Sequence, residues 1–414
     1  MNNRLLILGS MDEFVALVKL AKQRGYYVVV CDGYEFGPAK AFADKAYNID
    51  VRNVDEIVAL CEKEKINGIM GSFSDILFEQ ITYIADKAGL KWYMKPQQLK
   101  FYREKDEAKK LMSRAGISVP KNKVLDLDFS DADLEGLQFP VVIKPLNGCG
   151  SKGIYVVHSI EEIRQKFADV IARGSREKII AEEYVCGKEY NLISWLIDGK
   201  VHVISVANRE KNPQEGDSVP LLNRIVYPAR ELDEILPAAT DVLQRFADAT
   251  GQKSGPMCMQ FFYHNSQVIV CEIAGRIFGY EHELVEMSGD YSIEKLLLDY
   301  VYDEKAVEES LIGHSPYFTK YCAGIYFVGR QGKIIADQSI AQELMKESHV
   351  VDGICYYSNG DMVDNYGPKP YLARYYIQAD SREELDCVTE YFYEKMSVLA
   401  DDGTEVCEKF ILEK

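Results

Sequence analysis

Short apolar runs alternate with amphipathic stretches over residues 4–95. Leu5-Leu6-Ile7-Leu8 is apolar at every position and stops at Gly9-Ser10, which predicts a strand buried on both faces. Phe14, Leu17, Val18 and Ala21 recur at helical spacing within residues 11–24, and Gly25 closes that helix. Tyr27-Val28-Val29-Val30-Cys31 predicts a second strand, closed by Asp32-Gly33. Helices over 57–64 and 76–88 flank a short strand at 68–71. Wholly apolar strands alternating with helices predict a parallel sheet covered on both sides.

The pattern changes after Pro96. A helix is predicted over 101–115, ended by Gly116-Ile117-Ser118-Val119-Pro120. A small α+β unit follows over 121–184, with strands near 141–144, 154–157 and 179–182. Longer strands at 190–197, 201–206, 258–263 and 267–273 enclose a helix over 232–250. Asp198-Gly199 and Asn265-Ser266 are tight-turn pairs, so these strands are expected to run antiparallel. Strands near 321–328 and 371–377 and a helix over 382–399, capped by Ser381, complete the chain. The fold class is thus α/β and α+β in several domains. The expected division is 1–95, 96–300 with the small unit inside it, and 301–414.

A chain of 414 residues accommodates two or three such domains. Its net charge of −17 argues against nucleic acid or an anionic membrane as a partner for the whole surface. An anion in a locally basic cleft is still compatible with it. No apolar run has the length of a membrane span, and the N-terminal apolar stretch is too short for a signal peptide. The ten cysteines are scattered without a C-x-x-C pair, as expected for reduced thiols in a cytoplasmic protein. Six histidines, none at ligand spacing, argue against zinc. The 27 tyrosines are spread out and are expected to be packing residues.

The candidate chemistry lies in four segments. Lys144 ends a strand that runs into a loop with Gly148, Gly150, Ser151 and Gly153, where backbone N–H groups can converge on phosphate oxygens. A plain hairpin turn beside a surface lysine is the other reading. Lys105, on the preceding helix, gains meaning only from its place before that strand. Glu182-Glu183-Tyr184-Val185 closes an apolar strand, and a strand end entering a hinge can offer a donor and an acceptor to a purine edge. Glu189, just beyond, can accept from ribose hydroxyls; surface charge is the alternative for each of these acids. Glu272 stands in the apolar strand Val268-Ile269-Val270-Cys271, where burying a carboxylate is costly unless it is paired or bound to a metal. Arg276, four residues on, is expected to pair with it or to grip an anion in a fork.

The common nucleotide signatures G-x-x-x-x-G-K-[ST] and G-x-G-x-x-G are absent. Asp32 invites a dinucleotide reading, but the first turn lacks the glycines that admit a pyrophosphate. No Ser/His/Asp or Cys/His arrangement for nucleophilic catalysis is present.

In this order, the four segments resemble the ATP-grasp ligases, in the style of biotin carboxylase, the carbamoyl phosphate synthetase large chain, phosphoribosylglycinamide synthetase and the bacterial L-amino-acid ligases. The resemblance implies an ATP-grasp fold: a parallel-sheet pre-grasp domain, an α+β lid, an antiparallel nucleotide domain and a C-terminal extension. It implies ATP and Mg2+ as cofactors. Lys105 and Lys144 would contact phosphates, and Gly148, Gly150, Ser151 and Gly153 would form the lid loop over them. Glu182 would accept from the adenine amino group, the backbone of Glu183 and Val185 would read the ring edge, and Glu189 would bind ribose. Glu272 would bridge magnesium ions, with Gln260 beside it. Arg276, and with it Lys144, would steady the transferred phosphate.

Two positions depart from the pattern: Gln260 stands where an acid is usual, and Ala274 where an asparagine is usual. The implied reaction activates a small-molecule carboxylate as an acyl phosphate for attack by an amine. Carboxylation with bicarbonate is an alternative, suggested by Glu281-His282 one register off. A nucleotide-binding protein without turnover is another, suggested by Gln260 and Ala274. Arg209 and Arg224 are candidate carboxylate holders, and the turns at Gly9-Ser10 and Ser72-Phe73-Ser74-Asp75 are expected to shape acceptor binding. A homodimer is implied by the resemblance and by no particular residue.

Overall fold

The computed structural model describes residues 3–147, 153–174, 176–212, 220, 222–364 and 371–412. Strands β1 (Arg4–Leu8), β2 (Tyr27–Cys31), β3 (Lys45–Tyr47) and β4 (Gly68–Met70) form a parallel sheet in the order β3-β2-β1-β4. Leu5 to Leu8 are fully buried, as an apolar run between two helical layers requires. The connecting helices are α1 (Val15–Gln23), α2 (Val54–Lys63) and α3 (Asp75–Ala88).

The single helix expected over 101–115 is instead two, α4 (Lys100–Arg103) and α5 (Lys105–Arg114). Glu104 between them is extended, with φ −110° and ψ 108°. The N–H of Lys105 then turns away from the preceding turn and donates to Leu146 O at 3.1 Å. Helical periodicity is blind to such a break, because the apolar positions on either side stay in phase.

The small unit holds β5 (Asn122–Leu125), β6 (Val141–Pro145), β7 (Tyr155–Val157), α6 (Ile160–Ala172) and β8 (Ile179–Glu183), in the sheet order β5-β8-β6-β7. It has its own apolar cluster around Ile143, Ile163, Phe167 and Ala181. Helix α6 starts where Ser159 Oγ accepts from Glu162 N–H.

A large antiparallel sheet follows. Its strands are β9 (Lys188–Ile197), β10 (Lys200–Lys211), β11 (Leu222–Tyr227), β12 (Gly255–His264) and β13 (Gln267–Ala274), with α7 (Leu232–Thr250) against one face. Asp198 and Gly199, and Asn265 and Ser266, all take positive φ, the conformation that joins twisted antiparallel strands by two residues. After α8 (His282–Gly289), α9 (Ile293–Tyr302) and α10 (Glu304–Ile312), the chain adds β14 (Tyr321–Val328), β15 (Ile335–Asp337), α11 (Ser339–Leu344), β16 (Val350–Cys355), β17 (Tyr371–Ala379), α12 (Arg382–Lys395) and β18 (Leu399–Ala400). Strands β14, β17 and β16 extend the large sheet, whose described order is β13-β12-β9-β10-β11-β14-β17-β16. Ser381 caps α12 by accepting from Glu384 N–H.

The two faces of this sheet have different partners. Tyr190, Leu192, Met259, Phe261 and Ile273 pack on α7. Ile193, Trp195, Ile204, Cys258 and Ala274 join the same core as the parallel sheet. The N-terminal layer is therefore docked by apolar burial, which stabilises by roughly 25 cal/mol per Å² removed from water. Among the described residues no helix is long and apolar enough to cross a membrane, and the nine described cysteines are free thiols.

Candidate active site

The break at Glu104 places Lys105 on the first turn of α5, beside the end of β6. Lys109, one turn along, is buried and reaches Glu182 Oε1 at 3.1 Å. Lys144 of β6 reaches Glu182 Oε2 at 2.8 Å. Burial opposes ionisation of Glu182, but the two ammonium groups outweigh it and hold the carboxyl below its ordinary range. Burial pushes the Lys105 ammonium down, and the charge of Lys144 adds to that. Three lysines thus converge where the sequence reading named two. Lys109 was missed, although its signal was there: it lies four residues after Lys105, inside the stripe Ala108–Met112 that packs inward.

The large sheet supplies the opposite wall. Val268 and Val270 face α7, and strict alternation would send Glu272 the same way. The structure corrects that expectation. Gln260 pairs with Glu272 while Phe261 pairs with Val270, so Cys271 is an extra residue in β13. This bulge reverses the phase: Ile273 enters the core, and Glu272 becomes exposed on the open face beside Lys105, Lys109 and Asp75. No burial cost therefore requires it to be paired.

The expected Glu272–Arg276 pair is also corrected. Arg276 forks onto Asp75, with Nε–Oδ1 at 2.8 Å and Nη2–Oδ2 at 2.9 Å. Burial opposes ionisation of Asp75, yet Arg276 and Arg103 bring its carboxyl down to about 2. The turn out of β13 points Arg276 toward the start of α3, a contact across 201 positions that local spacing does not encode.

On the same face as Glu272, Glu189 of β9 is buried and ion-paired with Arg209 and Lys211 of β10. Gln260 Nε2 also donates to it, which leaves Gln260 Oε1 to meet a cation. Arg209 is thus a partner of Glu189 before it is anything else.

Arg224 is not a substrate holder. It is fully buried, with Nε 2.8 Å from Glu210 Oε2 and Nη1 2.7 Å from Thr389 Oγ1, and Nη2 bonds Asp386. This network ties β11 to α12. Arg224→Met is expected to lower unfolding free energy by about 1–3 kcal/mol, because the hydrogen bonds to Glu210, Asp386 and Thr389 are lost while Arg382 still pairs with both acids. Urea unfolding beside nucleotide titration checks this; unchanged stability, or lost nucleotide affinity in the folded variant, contradicts it.

At the hinge, Glu183 N–H donates to Lys121 O at 2.9 Å and Tyr184 N–H to Pro140 O at 3.0 Å. Glu183 therefore has no N–H to spare for a ring edge; only its carbonyl and the backbone of Val185 remain for that role. Gly153 has φ +67°, and a Cβ there would stand 2.8 Å from Arg173 Cγ. Gly148, Gly150 and Ser151 lie outside the described residues. Asp32 accepts from Ser10 Oγ at 3.0 Å within its own domain. Glu281 and His282 are buried: Glu281 accepts from Asn191 and Tyr227, and His282 stacks on Phe73 with ring centres 4.0 Å apart.

Among the described residues no three His, Cys, Asp or Glu side chains are placed to hold a metal by themselves. Glu272 and Gln260, neighbours across β12 and β13, offer one carboxylate and one amide oxygen. That donor set fits magnesium carrying phosphate oxygens and water, and does not fit an all-protein cage.

Comparison with known proteins gives a consistent picture. A family model described as "ATP-grasp domain" matches residues 137–282, and one described as "PylC-like, N-terminal domain" matches residues 5–87. The chain is 23% identical over 294 residues to a carbamoyl phosphate synthase large chain from Clostridium beijerinckii, covering 66% of this chain and 27% of that protein. It is 28% identical over 187 residues to a formate-dependent phosphoribosylglycinamide formyltransferase from Methanocaldococcus jannaschii, covering 44% of this chain and 48% of the relative. The chain therefore spans about a quarter to a half of these curated relatives. An L-amino acid ligase from Bacillus licheniformis superposes with a TM-score of 0.81 at 18% identity, over 97% of this chain and 99% of that one. The biotin carboxylase domain dimer of a Hydrogenobacter thermophilus 2-oxoglutarate carboxylase, in complex with MgADP, ADP and bicarbonate, gives 0.74 at 15% identity over 98% and 92%. At these identities the structural likeness shows the fold.

Proposed function

We propose that this chain, which carries an ATP-grasp domain behind a PylC-like N-terminal domain, is an ATP-dependent carboxylate–amine ligase releasing ADP and phosphate. The observation that carries the reading is the convergence of Lys105, Lys109 and Lys144 opposite the exposed Glu272 and its neighbour Gln260. Three ammonium groups with one internal carboxylate leave positive charge for a triphosphate.

In this reading a substrate carboxylate oxygen attacks the γ-phosphorus, the bond to the β–γ bridging oxygen breaks, and ADP leaves. An amine then attacks the acyl carbon, its C–N bond forms as the C–O bond to phosphate breaks, and the nitrogen loses a proton. The chain's residues position and neutralise, as phosphoryl transfer demands. Lys105 and Lys144 hold phosphate oxygens. Glu182 fixes Lys144 and Lys109, and accepts from the adenine amino group only as a third partner. The Glu183 carbonyl and Val185 backbone take the ring edge, Glu189 with Arg209 and Lys211 takes the ribose, and Gly148, Gly150, Ser151 and Gly153 are assigned to the phosphates. Bound magnesium would supply charge neutralisation at the phosphates, held by Glu272 and by Gln260 Oε1. Arg276, already oriented by Asp75, lends Nη1 to the transferred group.

Residues 1–95 and 96–300 enclose this site, residues 301–414 complete its sheet, and a homodimer is read from the likeness to the Hydrogenobacter domain dimer. A nucleotide binder without turnover is the second reading, favoured by Ala274 and by Gln260 in place of an acid. ADP release from magnesium-ATP with pooled amino acids, with bicarbonate and with neither separates them. The expected result is release that requires an amino-acid pool and disappears in Glu272→Ala. Release driven by bicarbonate alone contradicts the amine-ligase reading, and ATP binding with no release from any pool favours the binder.

A further inference from the structure

A second group of buried charges lies beside Arg276, between the N-terminal layer and the large sheet, and the chemistry above does not use it. Glu13 sits on the short turn after β1 and is 8% exposed, and its Oε2 has no hydrogen-bond partner among the described residues. Arg374 of β17 is 5% exposed, and its Nε and Nη1 are likewise without a partner among the described residues. Its Nη2 approaches Asp12 Oδ2 at 3.6 Å, longer than a hydrogen bond. Leaving such groups unmade is costly, so a built arrangement of this kind points to a missing partner.

The surroundings are shaped accordingly. The guanidinium of Arg374 lies 4.5 Å from the Tyr376 ring centre and 5.4 Å from that of Tyr280. Tyr280 and Phe73 both take left-handed backbone conformations, with φ +58° and +67°. Bulky residues rarely take that region, and such strain gathers at binding sites. Gly279 lies so close that a Cβ there would stand 2.6 Å from Glu13 Oε2. Asp12 and Glu283 border the group: both Asp12 carboxylate oxygens are buried without a hydrogen-bond partner among the described residues, and Glu283 Oε2 accepts from Tyr376 Oη at 3.1 Å. Burial pushes the Glu13 carboxyl up to about 8 against the opposing charge of the buried His282, and an incoming cation would restore the carboxylate. The group lies within electrostatic reach of the proposed reaction centre, since Arg276 acts on Glu13, and Arg209 and Arg374 both act on Tyr371.

We propose that Glu13, with Asp12, holds the α-ammonium of a zwitterionic amino acid and that Arg374 holds its α-carboxylate, with Tyr280, Tyr376 and Phe73 as walls. This names the amine-bearing substrate of the ligase and rests on that reading for its role, but the binding itself needs no turnover.

The test is calorimetry on the full chain with the twenty proteinogenic L-amino acids, each singly, followed by the N-acetyl and α-amide derivatives of any that bind. ADP is titrated in parallel into wild type, Glu13→Gln and Arg374→Lys. At least one amino acid is expected to bind. Both derivatives and both variants are expected to weaken it about tenfold or more, with ADP affinity unchanged as the sign of an intact fold. No binding by any amino acid overturns the proposal. So does equal binding of the N-acetyl and amide forms, or full affinity in both variants. Amino-acid binding without ADP release would remove the ligase reading and leave this site standing.

Discussion

Glu272→Gln is expected to cut ADP release by about 10²–10³-fold while the folded protein still binds ATP. The substitution keeps the side chain's size and removes only its charge. Glu272 is exposed on the open face, and the bulge at Cys271, not any ion pair, sets its direction. Stability is therefore expected to stay within about 0.5 kcal/mol, as for a surface change. Gln260, its cross-strand neighbour, has an amide tied to Glu189 and cannot supply the missing charge. Single-turnover ADP formation, with a nucleotide titration and a urea melt, separates these quantities. A variant with undiminished release, or one that loses ATP binding and turnover together, would remove Glu272 from the proposed role.

Glu182→Leu is expected to destabilise the protein by about 3–5 kcal/mol near neutral pH, the cost of leaving buried charge uncompensated. Lys109 and Lys144 both lose their counter-ion, and Lys105 stands beside them. The pH dependence gives an independent sign. The folded Glu182 carboxyl lies below its ordinary value, so its contribution is present above the ordinary carboxylate range and is lost as pH falls through the folded value. The gap between wild type and variant should therefore close on acidification. Urea unfolding across that range reads it directly. A gap that is absent at neutral pH, or that widens in acid, would mean that Glu182 is not the anchor of the lysine cluster.

Much of the fold was legible because its signals are local. The apolar run Leu5–Leu8, the turn pairs Asp198-Gly199 and Asn265-Ser266, and the Ser381 cap each act within a few residues, and each has the predicted consequence. Short or half-exposed elements were not legible. Strands β5 and β16 carry mixed polar positions, and their strand character comes from pairing with β8 and β17.

The sequence by itself determined the order of the layers, the antiparallel nature of the central strands and the place of Lys105, Lys144, Glu182, Glu189 and Glu272 among the candidate residues. Spacing and turn chemistry suffice for the layers and the strand directions, since both are properties of neighbouring residues, whereas the candidate residues rest on the order of four segments that resembles the ATP-grasp ligases. Tertiary structure alone decided that Glu272 is open and not buried, that Arg276 answers to Asp75, that Lys109 completes the lysine cluster, and that Arg224 braces α12. A bulge shifts the phase of a whole strand by one inserted residue, and an ion pair across 201 positions is fixed by docking. Neither leaves a mark in local periodicity, because the energy that selects it comes from partners distant in the chain.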